Sequence, residues 1–438
     1  MATGITGKEK LSADALLATR NDDFAMNLPG PEAVVQLTYA GKISEEKILK
    51  PIDHDYFVSK GNSFVEAESI GPDSFILADN FYALHALLAA KQKVSLIYLD
   101  PPYGTGMDFQ SRQLEHAYKD NMSPARYIEF LRRRLILMRE LLTDEGSIYL
   151  HIGHQMVSHL KVLMDEVFGV ENFRNLITRR KCSSKNFTRN QYSNLNDYIL
   201  FYSKTQNYTW NKPGIKPDEE WIDKEYPKTD QKGRFKLVPV HAPGTRKGET
   251  GKTWKGLNPP PGKHWQFRPS KLDEFDAAGE IHWSKNGNPR RKVYLTSETS
   301  LAVSDYWEKF RDAHHQSIEI TGYPTEKNFE MLKLIVGASS KEGDTVLDPF
   351  CGSGTSLQAA RDLKRKWIGI DESFVAAKTT LKRMSRGTAP MGDYVKSKTG
   401  TKQASFKMES NSEKSPFKFL VDESVLMKYG DELKNLID

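Results

Sequence analysis

The run Val94-Ser95-Leu96-Ile97-Tyr98-Leu99 stops at Asp100-Pro101-Pro102-Tyr103, and that stop restricts the chain more than any other stretch. A short, nearly continuous apolar run bounded by turn residues reads as a buried strand. Two consecutive prolines fix φ twice and remove two backbone N–H donors, so neither strand nor helix continues through them. The Asp100 carboxylate and the Pro101 carbonyl are left as acceptors with few donors nearby, and Tyr103 adds an aromatic face. Those groups suit a planar base carrying an NH₂ group; an ordinary turn after a strand has the same composition.

A second strand and turn, Thr345-Val346-Leu347-Asp348-Pro349-Phe350-Cys351-Gly352-Ser353-Gly354-Thr355, leads into a helix expected from Ser356 to Leu363. Glycines in such a turn let the backbone approach a ligand closely. The next strand, Lys366 to Ile370, ends at Asp371. An acid at the tip of the second strand of a nucleotide-binding sheet commonly bonds ribose hydroxyls. A phosphate-cradling loop would need a lysine and a hydroxyl residue after its second glycine, where Thr355-Ser356 stand. The dinucleotide fingerprint lacks its third glycine, since Gln358 or Ala359 falls there. Cys351 reads as a small turn residue, because no motif sets a base beside it.

Strands near Phe75 to Ala78, Ser95 to Leu99 and Ser147 to Ile152 alternate with helices at Phe81 to Ala90, Pro124 to Leu142 and Gln155 to Phe168, which predicts a parallel sheet. The late strands at 345–347 and 366–370 would complete that sheet, so one α/β domain is built from two separated segments. Ahead of it, helices are expected at Glu32 to Thr38 and Ser44 to Leu49 in a covering segment. Behind it, 387–416 is rich in Ser, Lys, Thr and Gly and reads as a linker, and 417–437 as a strand and amphipathic helix that would dock a partner or cap the domain, with capping favoured. No apolar run approaches the ~20 residues of a membrane span. The N-terminus has no hydrophobic signal region, which predicts a cytoplasmic protein whose Cys182 and Cys351 stay thiols. His282, His314, His315 and Cys182 lack metal-ligand spacing, so no metal is expected.

The net charge of +6 conceals an asymmetry. From Thr178 to Thr296 the chain carries 24 Lys+Arg against 12 Asp+Glu, and the remainder carries 39 against 45. Charge segregated in this way points to a module that faces a polyanion. Trp210, Trp221, Trp254, Trp265 and Trp283 fall in the same stretch, among basic runs such as Arg179-Arg180-Lys181 and Arg290-Arg291-Lys292. The basic runs are candidate DNA contacts, since phosphate binding needs many cations. The tryptophans are expected to form a small core of their own.

Together, DPPY at 100–103 and DPFCGSGTS at 348–356 resemble the S-adenosylmethionine-dependent amino-methyltransferases of restriction-modification systems, which modify exocyclic amines of DNA bases. Their order, base motif before cofactor motif, is that of the circularly permuted beta group, similar to type II and type III modification enzymes. Ser74 to Arg383 carries further likenesses: Phe75 to Leu84 to a GDNLEAL segment, with Ala78 in place of glycine, and Tyr323-Pro324-Thr325-Glu326-Lys327 to an H/Y-P-T-x-K segment. Gly146 to Ile152 and Asn196 to Tyr202 resemble two of the family's strands.

The resemblance implies a Rossmann-like, mostly parallel methyltransferase sheet in permuted order, with an inserted target-recognition domain. The implied divisions are a covering segment 1–73, catalytic parts at 74–177 and 311–386, the basic insertion 178–310, and the linker and cap 387–438. It implies methyl transfer from S-adenosylmethionine, leaving S-adenosylhomocysteine, to N6 of an adenine flipped out of double-stranded DNA. Asp100, Pro101, Pro102 and Tyr103 would hold the base. Asp79 and Asn80 would lie at the cofactor's adenine end, Asp371 on its ribose, and Pro349, Phe350, Cys351, Gly352, Ser353, Gly354 and Thr355 along its methionine end. Asp348 would either meet the methionine ammonium or fix the turn, and Lys327 would either approach the cofactor or form a salt bridge. His151 and His154, near the same crevice, would either touch DNA or bond locally. A homodimer and a restriction or defence partner are the implied associations. N4-cytosine methylation and a catalytically inert specificity subunit are the alternatives. The aspartate that opens the tetrapeptide favours adenine, and the intact motif residues favour an active enzyme.

Overall fold

The computed structural model describes residues 35–52, 56–58, 63–65, 70–102, 108–110, 116–119, 123–182, 190, 192–312, 326–386 and 417–437. Tyr103, His314, His315, Tyr323 to Thr325, the linker and most of the covering segment lie outside them. The chain divides into two compact units, 1–211 with 305–438, and 212–304.

The first unit is built on an 11-stranded sheet. In chain order its strands are β1 (Tyr56–Val58), β2 (Ser63–Val65), β3 (Ser74–Leu77), β4 (Val94–Leu99), β5 (Leu142–Ile152), β6 (Phe173–Arg180), β7 (Asn196–Ser203), β8 (Tyr306–Trp307), β9 (Thr345–Asp348), β10 (Lys366–Asp371) and β11 (Lys418–Asp422). They lie side by side as β8-β6-β7-β5-β4-β9-β10-β3-β11-β1-β2. The stretch from β5 to β11 is parallel throughout, while β7 runs antiparallel to both β5 and β6. β3 and β4 are apolar along almost their whole length because helices cover both faces of a parallel sheet. The late strand β9 enters between β4 and β10, so the two separated segments form one α/β sheet, as expected.

The helices start where the sequence supplies caps. Asp79 accepts from the Phe81 N–H at 2.8 Å and starts α2 (Asn80–Ala89). Pro124 occupies the first turn of α3 (Pro124–Leu141), where its missing N–H costs nothing. α1 (Glu45–Leu49) and α4 (Val157–Phe168) pack on α3 or follow it. Asn328 caps α5 (Phe329–Ser339). α6 (Thr355–Asp362), α7 (Phe374–Arg386) and α8 (Glu423–Ile437) follow. Leu84, Leu131, Leu135, Leu150 and Ile370 are fully buried between these layers, each such side chain worth roughly 1.5–3 kcal/mol.

Three expectations change. Residues 35–38 are not helical; the only helix described in the covering segment is α1. The strand of 417–437 does not merely cap the domain: β11 joins the sheet, parallel to β3, and β1 pairs with its other edge. The inserted unit is narrower than 178–310, because β6 and β7 belong to the main sheet. Unit 212–304 has its own four-stranded antiparallel sheet, Lys228–Asp230, Gly233–Pro239, Pro289–Tyr294 and Ile281–Trp283 in that order. Trp254 and Trp265 form its core with Val240, Leu272 and Ile281, and Trp283 stacks on Trp254 with ring centroids 5.3 Å apart. Trp210 belongs to the first unit, stacked on Phe201. With the narrower boundaries the unit holds 18 Lys+Arg against 12 Asp+Glu, and the rest of the chain is neutral.

Candidate active site

Parallel strands bring their carboxyl ends to one edge, and on this edge four neighbours each supply an acid. Asp100 follows β4, Asp348 ends β9, Asp371 ends β10 and Asp79 follows β3. All four line one cavity, together with Asn80, Lys327, Phe350, Glu372 and the 349–353 turn. The glycine turn is built for close approach. Gly354 sits at φ +72°, and a Cβ there would come within 2.8 Å of the Thr380 side chain. The turn is held from both sides: Asp371 accepts from the Gly352 N–H at 2.9 Å, and the Thr380 hydroxyl donates to the Gly352 carbonyl at 2.7 Å.

Asp348 fixes the turn through backbone and side chain, accepting from the Phe350 N–H at 3.0 Å and from the Ser356 hydroxyl. Of the two roles open to it from sequence, the turn-fixing bonds are therefore present, while the same carboxylate also lines the cavity. Burial pushes it up to about 7 despite those bonds, and burial pushes Asp371 up to about 6 against the N–H donors of Ser373 and Gly352. Glu372 rises as well, through burial and then the nearby Asp79. The three acids are raised chiefly because the cavity wall is buried. Burial also lifts the Cys351 thiol well above its usual range, which keeps it neutral.

Sequence reasoning missed Arg134 and Glu372. Arg134 lies in the middle of α3, buried, with its guanidinium 3.6 Å from the Phe130 ring centroid. It donates to Asp79 at 2.7 Å, to Asn80 and to the Phe130 carbonyl. Asn80 in turn donates to the Pro349 carbonyl at 2.7 Å. One arginine thus ties the 79–80 segment to the 349–353 turn. The signal available in sequence was an arginine among apolar helix positions, which Arg132 and Arg133 beside it obscure.

Asp100 is held by charge. Lys327 Nζ lies 2.9 Å from Asp100 Oδ2, and both side chains are largely buried. Asp100 Oδ1 is buried and has no hydrogen-bond partner among the described residues. The salt-bridge alternative for Lys327 is therefore the arrangement present. His151 is fully buried behind Asp100, its Nδ1 4.0 Å from Oδ1 and 2.8 Å from the Tyr98 hydroxyl. Burial lowers the imidazole, leaving it neutral. The tautomer that suits both neighbours accepts from Tyr98 at Nδ1 and points Nε2–H toward Asp197, 3.6 Å away. His151 thus bonds locally, while His154 is exposed and meets Asn194 at 3.1 Å.

The basic candidates separate. Arg179 is fully buried, bound to Asp312 and the Phe310 carbonyl and 3.6 Å from Asp197, so it is withdrawn from the DNA-facing set. Burying a guanidinium requires such partners, and they occupy it. Lys181 and Arg180 pair with Asp197 and Glu308 at 2.8 and 2.7 Å. Lys292 pairs with Asp230 at 2.8 Å, and Arg291 lies 4.1 Å over the Phe275 ring. Arg290 is the exposed member of its run.

Residues 94–381 match the model of a family described as DNA methylase, N6_N4_Mtase. The chain belongs to the DNA methylase family. The match takes in β4, the Asp100 turn, the inserted unit and the glycine turn. The methylase is 61% identical over 395 residues to the Type II methyltransferase M.EcaI of Enterobacter cloacae, covering 90% of this chain and 87% of that one. It is 26% identical to the type III restriction-modification enzyme StyLTI Mod subunit of Salmonella typhimurium, over 75% of this chain and 54% of that protein's length. A solved structure of an M1.HpyAVI–SAM complex aligns over 71% of this chain and 98% of its own, at 17% identity and a TM-score of 0.38.

Proposed function

We propose that this DNA methylase transfers a methyl group from S-adenosylmethionine to the N6 amine of an adenine in double-stranded DNA. The observation that carries the reading is Asp100 Oδ1, a buried carboxylate oxygen without a hydrogen-bond partner among the described residues, at the mouth of an acid-lined cavity. An amine N–H is the donor such an oxygen lacks. The cavity fits the cofactor by charge, because acids held at about 7 and about 6 favour a ligand bearing a sulfonium and an ammonium. In this reading Asp371 and Glu372 would bond the ribose hydroxyls, Asp79 and Asn80 would meet the adenine end, and the 349–353 turn would follow the methionine end; all of these residues line the one cavity. When bound, the cofactor supplies a methyl group activated by the positive sulfur.

The chain's own part is to bind and orient. Asp100 Oδ1 and the Pro101 carbonyl accept from the NH₂ group, drawing the nitrogen lone pair out of the ring and stabilising charge that develops on nitrogen. Pro101 and Pro102 offer no N–H to compete. The aromatic face of Tyr103 lies outside the described residues and is proposed from sequence alone, as a stacking surface worth about 1–3 kcal/mol. The base must leave the duplex to reach the cavity, at a cost of a few kcal/mol. Unit 212–304, which carries the chain's whole net positive charge, is proposed as the target-recognition domain. By likeness to the Mod subunit, we place the chain in a restriction-modification system in the cytoplasm, with a homodimer and a cognate nuclease as its expected associations.

The test is incubation of purified protein with methyl-labelled S-adenosylmethionine and unmethylated duplex DNA, followed by nucleoside analysis of the digest. Label in N6-methyl-2′-deoxyadenosine supports the reading. Label in N4-methyl-2′-deoxycytidine overturns the adenine assignment, and no label overturns methyl transfer.

A further inference from the structure

The Asp100–Lys327 pair does more than neutralise a buried acid. We propose that Lys327 is a positioning residue for the substrate amine, its ammonium holding Asp100 Oδ2 so that Oδ1 alone faces the incoming NH₂ group. This rests on the reading of Asp100 as the amine acceptor and assigns Lys327 to the base side of the site rather than to the cofactor.

The geometry supports a fixed pair. The N–O separation of 2.9 Å is that of a charge-assisted hydrogen bond, and the two side chains are 10% and 16% exposed, so solvent does not exchange for either partner. Lys327 comes from the segment leading into α5 and Asp100 from the end of β4, so the pair clasps two distant stretches of chain. Several charged or polar neighbours among the described residues bear on the pair. Asp100 faces Lys327, the neutral His151 of β5, Tyr98 of β4 and Asp348 of β9. Lys327 faces Asp100, Asp197 of β7, Asp312 beyond β8 and Arg179 of β6. Burial alone would lower the ammonium, but the three carboxylates outweigh it and hold Lys327 above its usual value, charged across the working range. Glu326 beside it is taken by Arg383.

A carboxylate with one oxygen clamped has one acceptor left, and its rotamer is set before substrate arrives. Preorganisation of that kind acts in the turnover step. A lysine serving as cofactor ligand predicts the opposite pattern, a loss at the cofactor-binding step.

Lys327→Met and Lys327→Arg separate the two. With saturating S-adenosylmethionine and DNA, Lys327→Met is expected to lower kcat by roughly 100-fold or more, and Lys327→Arg to recover at least about tenfold of that through a guanidinium fork. The affinity for S-adenosylmethionine, measured by calorimetry, should be unchanged within about threefold, or tighter, since a competing cation has left the cavity. A weakening of tenfold or more with kcat preserved would overturn the proposal in favour of a cofactor ligand.

A second measurement needs no activity. Unfolding midpoints of Lys327→Met, Asp100→Asn and the double variant form a cycle, and the pair predicts strong coupling, with Lys327→Met costing little in the Asp100→Asn background. Additive losses overturn the clamp. If the wild type transfers no methyl group, the proposed function fails, and this cycle still decides whether the pair exists as described.

Discussion

The acids of the cavity make cofactor binding proton-linked, and the size of the effect follows from Asp348. Burial holds it at about 7 in the free protein, while the Phe350 N–H and Ser356 hydroxyl support its ionised form. A cationic ligand selects the carboxylate, so each protonated molecule must lose its proton before binding tightly. With a pKa of about 7 in the free protein and a much lower one in the complex, affinity should fall about tenfold from about pH 8 to about pH 6, or about 1.4 kcal/mol. Asp371, at about 6, adds to the loss below that. Unbound protein responds with the opposite sign: an acid raised above its unfolded value destabilises the fold as pH climbs through the raised pKa, so the free protein should be more stable at pH 6 than at pH 8 as far as these two groups decide. The assay is titration calorimetry across pH, in two buffers of different ionisation enthalpy. It should show proton release near pH 7 with S-adenosylmethionine and a weaker dependence with S-adenosylhomocysteine, which lacks the sulfonium. Asp348→Asn should flatten the pH profile. An affinity unchanged between pH 6 and pH 8 would refute the charge argument.

Three further outcomes test individual contacts. Arg134→Leu removes the donor shared by the half-exposed Asp79 and the buried Asn80 and should cost about 1–3 kcal/mol of stability, and also weaken cofactor affinity; denaturant unfolding and calorimetry read the two. Arg179→Met should destabilise by a similar roughly 1–3 kcal/mol, since Asp197 keeps Lys181 and Asp312 is partly exposed, without altering the salt dependence of DNA binding, whereas Arg290→Ala should leave stability unchanged and lower the salt slope by about 1 in filter or anisotropy titrations. Gly354→Val adds a Cβ within 2.8 Å of Thr380 at φ +72° and should cost at least about 1–2 kcal/mol, read as a lower unfolding midpoint.

The sheet was legible because its strands announce themselves twice, as apolar runs and as acid- or glycine-bearing turns at their carboxyl ends. Val94–Leu99 and Thr345–Asp348 are read from sequence within a residue of their observed bounds. The acids that line the cavity share one property visible in sequence, a position just after such a run. Arg134 and Glu372 were hidden because their roles depend on tertiary partners, and a helical arginine or a second acid after Asp371 looks solvent-facing in isolation. The same limit misplaced Arg179: a basic tripeptide at a presumed domain start resembles a DNA contact, and only the antiparallel pairing of β6 with β7 carries its side chain inward beside Asp197. The strand of β11 was read from sequence, but its place in the sheet was hidden for a related reason, since its partners β3 and β1 lie at the far end of the sequence.

Methyl transfer through Asp100 is tested most directly in a host whose own DNA is unmethylated. Expression of the wild-type chain should place N6-methyladenine in one defined sequence motif across the genome, detected by modification-sensitive sequencing, and Asp100→Ala, expressed to the same level, should leave the genome bare. An unmodified genome despite folded wild-type protein, or a motif still methylated with Asp100→Ala, would contradict the account.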